Sequence, residues 1–139
     1  MAYVESAHQR AYFEWAALQQ HARDAFAIPN GGRRDRREAA RMQGEGVRAG
    51  IPDVMLPKAR GGAHGLWIEF KAPGGRTTTA QAQRLHTLVA DGYACVVAYS
   101  VDAAIEATMQ YLSGDIGPSL QVLGDTRKHK RRLPSRGIP

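Results

Sequence analysis

Residues 94 to 99, Ala-Cys-Val-Val-Ala-Tyr, form an almost uninterrupted apolar run, too short for a buried helix and rich in β-formers. Such a run fits a central strand covered on both faces. The segments on either side read as helices. Thr78 is a good N-cap, Leu85, Leu88 and Val89 follow at helical spacing, and Gly92 is a natural terminator, so a helix is expected over about 79 to 90. A second helix is expected over about 102 to 112, with Ile105, Met109 and Leu112 inward and Gly114 at its end. A strand between two helices implies a crossover connection and a partly parallel sheet.

Upstream, Asp53-Val54-Met55-Leu56-Pro57 and residues 65 to 71 read as two further strands joined through Arg60-Gly61-Gly62-Ala63-His64. Alternation puts Leu66, Ile68 and Phe70 on one face and Trp67, Glu69 and Lys71 on the other. Glu69 and Lys71 are then neighbours, roughly 7 Å apart along the strand. If the two strands pair as a hairpin, Asp53 comes alongside. Two carboxylates and an ammonium at one spot suit a hard divalent cation and a phosphodiester. The bland alternatives are a Pro-Asp turn for Asp53 and a wet strand edge for Glu69 and Lys71.

At the N-terminus, Val4, Ala7, Ala11, Trp15, Leu18, Ala22 and Ala25 recur at three- and four-residue steps, which predicts a helix over about 5 to 26. A short helix is expected around 36 to 43, inside an arginine-rich loop. The order is helix, strand, strand, helix, strand, helix: an α/β protein with a mixed sheet flanked by helices. Residues 1 to 114 are read as one domain. Residues 115 to 139 are read as a basic flexible tail, in which residues 125 to 139 carry Arg127, Lys128, Lys130, Arg131, Arg132 and Arg136 against only Asp125. That tail holds most of the net charge of +6. Its bland reading is a solvated terminus. No run approaches the ~20 apolar residues of a membrane helix. The single cysteine, Cys95, excludes an internal disulfide, and the start of the chain lacks the pattern of a secretory signal, so a cytoplasmic setting is expected.

Pro52-Asp53, a gap, then Glu69-Phe70-Lys71 resembles the PD-(D/E)xK nuclease superfamily. Glu5 with Gln9, Ile28-Pro29-Asn30-Gly31-Gly32, Glu45-Gly46-Val47-Arg48-Ala49-Gly50-Ile51-Pro52-Asp53, and Ile68-Glu69-Phe70-Lys71-Ala72-Pro73-Gly74-Gly75 with Gln81 resemble, in that order, the VRR-NUC family. Within it the chain is similar to short stand-alone phage and prophage members, which would place it in a bacterial host cytoplasm. The resemblance implies a restriction-endonuclease-like core and a Mg2+- or Mn2+-dependent endodeoxyribonuclease. It implies Asp53, Glu69 and the main-chain carbonyl of Phe70 as metal ligands, with an acid from the first helix completing the set. Glu5 is placed ahead of Glu14 for that role. Lys71 would orient the attacking water or offset charge. Gln81 would contact water or phosphate, although Thr78-Thr79-Ala80-Gln81 also has the spacing of a capping box.

Asn30, Arg33, Arg34, Arg48, Arg76, Lys128 and Arg131 are the expected nucleic-acid contacts, with solvated charge as their bland reading. His64 and His86 have no ligand spacing, so zinc is not expected. The absence of a recognisable sequence-reading module and the likeness to Holliday-junction resolvases imply branched or flapped DNA and a homodimer, with no nucleotide cofactor and no membrane. The rival readings are a degradative or restriction-type nuclease on linear or single-stranded DNA, and a nucleic-acid-binding module without catalysis.

Overall fold

A computed structural model describes residues 2–29 and 35–125. Its framework is a five-stranded sheet in the order β1-β2-β3-β4-β5, made of Phe26–Ala27, Val54–Leu56, Leu66–Phe70, Ala94–Ala98 and Ser119–Leu123. The first three strands are antiparallel neighbours, and β3, β4 and β5 run parallel. Four helices complete the chain: α1 (Ala2–Ala16), α2 (Arg36–Gly44), α3 (Thr79–Ala90) and α4 (Val101–Leu112). The mixed sheet with flanking helices is the architecture expected from the sequence.

Strand alternation divides the core in two. Leu66, Ile68 and Phe70 of β3 point with Val54, Leu56 and Val96 to the face covered by α1 and α4. Cys95 and Val97 point to the opposite face, where Leu85 of α3 covers them and Trp67, Leu88, Val89 and Leu120 pack around. All five residues of β4 are buried, as an apolar central strand requires. Each fully buried Leu, Ile, Val or Phe contributes roughly 1.5–3 kcal/mol of transfer free energy. Tyr12 and Tyr111 are the largest buried side chains of the first layer. The Tyr12 hydroxyl is satisfied by Thr108 Oγ1 at 2.9 Å, which ties α1 to α4.

Four elements depart from expectation. Helix α1 stops at Ala16, not near residue 26. Leu18 and Gln19 donate to carbonyls only three residues back, tightening the chain. A 3-10 turn, Ala22–Asp24, then delivers β1 to the edge of β2. The buried positions of α1 are Tyr12 and Ala16, whereas Leu18 is 85% exposed, so the inward stripe lies at a different phase from the one predicted. In α4 the buried positions are Ala104, Ala107, Thr108 and Tyr111. Ile105 and Leu112 are half-buried, and Met109, expected inward, is 52% exposed. Finally, β5 falls within residues 115 to 139, read as a tail. Its five residues pair in register with β4, from Ala94↔Ser119 to Ala98↔Leu123, so the sheet extends to residue 123.

Candidate active site

The site lies where the β2–β3 hairpin ends beside the first turn of α3. The register that pairs Val54 with Ile68 places Asp53 across from Glu69 on the α3 face. Asp53 is half-buried, and its Oδ2 accepts the main-chain N–H of Phe70 at 2.9 Å. Its own carbonyl accepts from Ile28 N at 2.8 Å, so β3 and the residue just after β1 fix it from both sides. Glu69 is 3% exposed and Lys71 is 6% exposed. A charged pair this deep is stable only if its remaining hydrogen-bonding capacity is met.

Gln81 supplies much of that capacity. Its Oε1 accepts from Lys71 Nζ at 2.9 Å and from the main-chain N–H of Thr78 at 2.9 Å. Its Nε2 donates to Glu69 Oε1 at 3.0 Å. Lys71 Nζ also lies 3.5 Å from Glu69 Oε1. Thr78 Oγ1 accepts from Gln81 N at 3.1 Å, so the capping box expected from the spacing is formed. The amide that closes the start of α3 is thus also the bridge between Glu69 and Lys71. Two facing donors on one side of the amide and a carboxylate on the other leave it a single orientation.

One atom in this network is the exception. Among the described residues, none donates a hydrogen bond to the buried Glu69 Oε2. Burial, reinforced by the neighbouring Asp53 charge and opposed by Lys71, pushes the Glu69 carboxyl up to about 8. Burial also raises Asp53, against the pull of the Phe70 N–H. Glu5 adds to both shifts. It reaches the end of β3 from α1, where its Oε1 accepts from Ala72 N at 3.3 Å. Two carboxylates held up in this way, one with an orphaned oxygen, are what a hard cation relieves. Among the described residues no group of three or more His, Cys, Asp or Glu side chains is arranged to hold an ion by itself. Asp53 and Glu69 are carboxylates whose chemistry fits a hard cation such as Mg2+, with Glu5 reaching the end of the same strand.

The other expected residues are distributed unevenly. Glu14 is exposed on α1, farther along the helix from Ala72 than Glu5. Arg48 is exposed and donates to the carbonyls of Gln43 and Val47 at 2.9 and 3.3 Å, so it lies at the end of α2. Arg76 is exposed in the irregular segment before α3. Asn30, Gly31, Gly32, Arg33, Arg34, Lys128 and Arg131 lie outside the described residues. His64 meets Tyr93 edge-on, with ring centroids 5.7 Å apart, and His86 is exposed.

Gly50 has a part that its sequence context did not reveal. Its φ of +81° and a backbone approach that would put a Cβ 2.6 Å from the Ala80 carbonyl oxygen seat the 47–51 loop directly on the first turn of α3. In the sequence Gly50 stands only as one residue of a longer run. The close approach belongs to tertiary packing and has no local signal beyond the glycine itself.

A model of the VRR-NUC domain matches residues 2–102. The chain belongs to the VRR-NUC family. This makes it a nuclease-type domain, and Asp53, Glu69, Lys71 and Gln81 fall within the matched span. A solved structure described as a VRR_NUC domain protein is 32% identical, with a TM-score of 0.70, matched over 80% of this chain and 89% of its own. No curated protein matches the chain. The VRR-NUC match covers every helix except most of α4 and every strand except β5. No helix among the described residues is long and apolar enough to cross a membrane.

Proposed function

We propose that the chain is a metal-dependent endodeoxyribonuclease that hydrolyses phosphodiester bonds in branched DNA. The observation that carries this reading is the buried, unpartnered Oε2 of Glu69, set beside Asp53 and within a network that also holds Lys71. Asp53 and Glu69 would hold Mg2+ or Mn2+, with the Phe70 carbonyl as a further oxygen donor by family likeness. The ion would supply Lewis-acid stabilisation of charge on the phosphodiester. The chain's own groups do the rest. Lys71 is buried and fixed at its Nζ by Gln81, so it can donate to an attacking water or to a non-bridging phosphate oxygen without reorganising. Gln81 keeps Lys71 and Glu69 at a set spacing while the charge between them changes. Glu5, at the end of the same strand, adds negative potential that favours a cation over an empty site.

The preference for branched DNA, and a homodimer that would present two such sites, rest on likeness to stand-alone relatives. The described residues include no separate sequence-reading module. The exposed guanidinium groups of Arg36, Arg37 and Arg48 suit phosphate contacts, which are blind to sequence. The test is cleavage of a four-way junction, a flap, a single strand and a plain duplex, with and without Mg2+, by the wild type and by Glu69→Ala. The expected result is metal-dependent cutting of the branched substrates that falls by several orders of magnitude in the variant while binding persists. Equal cutting by both proteins would remove the assigned site. Preference for single strands or plain duplex would replace the substrate assignment with a degradative one.

A further inference from the structure

In the sequence Tyr99 merely closes the apolar run of β4, one residue past the strand. Continuing the parallel register that pairs Phe70 with Ala98 sets Tyr99 beside Lys71 on the α3 face, and Lys71 N donates to the Ala98 carbonyl at 2.9 Å. The Tyr99 ring is buried with Leu85, Cys95 and Val97. Its main-chain N–H donates to the Leu123 carbonyl at 3.0 Å, so the ring is carried on backbone held by β5. Its hydroxyl donates to the Gly75 carbonyl at 2.7 Å. Gly75 lies midway along residues 71 to 78, an irregular stretch between β3 and α3. The chain folds back on itself there. Gly75 N donates to the Ala72 carbonyl at 2.8 Å, and a Cβ on Gly75 would stand 3.0 Å from that same oxygen and 3.8 Å from Lys71 Cβ.

This stretch is one side of a closed ring. Lys71 Nζ donates to Gln81 Oε1, that oxygen also accepts from Thr78 N, and the main chain returns from Thr78 to Lys71. Glu69 is tied to the ring through Gln81 Nε2. Two adjacent glycines, Gly74 and Gly75, make the main-chain side of the ring permissive, and Pro73, Gly74 and Arg76 on it are exposed. The Tyr99 hydroxyl pins that side near its midpoint from the sheet. A phenylalanine would fill the same volume among Leu85, Cys95 and Val97, so the hydroxyl contributes place rather than packing. Resting on the nuclease reading above, we infer that Tyr99 is a positioning residue for the reaction. It acts through Gly75 on the ring, and so sets where Lys71 Nζ and the Gln81 amide stand relative to Glu69 and the scissile phosphate.

The test compares Tyr99→Phe with Tyr12→Phe, which removes the buried hydroxyl bonded to Thr108 on the opposite face of the sheet. Both are assayed well below their unfolding temperatures. Tyr99→Phe is expected to lower kcat on the branched substrate about fivefold or more, the scale of one hydrogen bond, with KM unchanged. Tyr12→Phe should change neither. Amide hydrogen exchange gives a readout independent of cleavage. The N–H groups of Gly75 and Thr78 should exchange about fivefold or more faster in Tyr99→Phe and at wild-type rates in Tyr12→Phe. Gly75→Ala crowds the Ala72 carbonyl from within the ring and leaves Tyr99 in place, so it should repeat both changes. Wild-type kcat in Tyr99→Phe, or unchanged exchange at Gly75 and Thr78, overturns the assignment. An equal fall in kcat for Tyr12→Phe also overturns it, because the loss then reports general stability. If the wild type cuts no substrate, the nuclease reading fails by itself, and the exchange rates decide whether Tyr99 pins the ring.

Discussion

Replacing Glu69 by glutamine should make the metal-free protein more stable, and increasingly so as pH rises. The carboxyl is pushed from 4.5 up to about 8 by burial and by Asp53. The folded state therefore keeps this proton after the unfolded chain has lost it. Stability contributed by the protonated group is complete below about pH 4.5 and drains away as pH rises through about 8. Each unit of separation is worth about 1.4 kcal/mol, so the wild type loses roughly 4 kcal/mol between pH 5 and pH 8 that a neutral side chain does not lose. The Glu69→Gln variant keeps the volume and the acceptor oxygen that Gln81 Nε2 uses. The assay is urea unfolding in EDTA at pH 5, 6, 7 and 8. The difference between variant and wild type should widen by roughly 3–5 kcal/mol across that range. Saturating Mn2+ at pH 8 should then restore the wild type, by about 2.7 kcal/mol at a hundredfold excess over Kd, and leave the variant unmoved. Unfolding curves for the two proteins that stay parallel within about 1 kcal/mol from pH 5 to 8 would refute the account of Glu69 as a strained, cation-ready acid.

Two further substitutions probe the supports of the site. Gly50→Ala puts a methyl group 2.6 Å from the Ala80 carbonyl oxygen at a φ of +81°. It should lower stability by at least about 1–2 kcal/mol from the backbone conformation alone, and lower kcat by tenfold or more with substrate Kd nearly unchanged, because the turn carrying Gln81 is displaced. Tyr12→Phe removes a buried hydroxyl whose partner, Thr108, still donates to the Ala104 carbonyl at 2.7 Å. Thermal unfolding should show a loss of about 1 kcal/mol with cleavage unaffected.

Much of the site could be read from the sequence because its spacing is local. Asp53, Glu69 and Lys71 share a hairpin whose alternation fixes their face, and Thr78-x-x-Gln81 is a capping signal that needs no tertiary knowledge. The central strand and its two helices were legible for the same reason. What escaped depends on partners distant in sequence. Residues 17 to 25 are compatible with helix, and only the edge of β2 converts Phe26 and Ala27 to strand. Ser119–Leu123 is half-exposed and lacks a clean alternation, so its strand character comes from the register with β4. The phase of α1 slipped because alanines mark both faces of that helix, and Tyr12 rather than Leu18 meets the core. Glu5 stands above Glu14 on likeness alone; its bond from Ala72 N shows only that it reaches the end of β3, a contact between residues 67 positions apart that no local pattern signals.

Asp53, Glu69, Lys71 and Gln81 all derive from one continuous stretch of chain, residues 53 to 81, whereas Glu5 arrives on the first helix. The reactive hairpin and its cap can thus form with short loop closures, early in folding. Glu5 joins them only when α1 docks, with Tyr12 meeting Thr108. The place of Glu5 beside the hairpin therefore depends on how α1 packs against α4, whereas the other four residues are placed by their own stretch of chain.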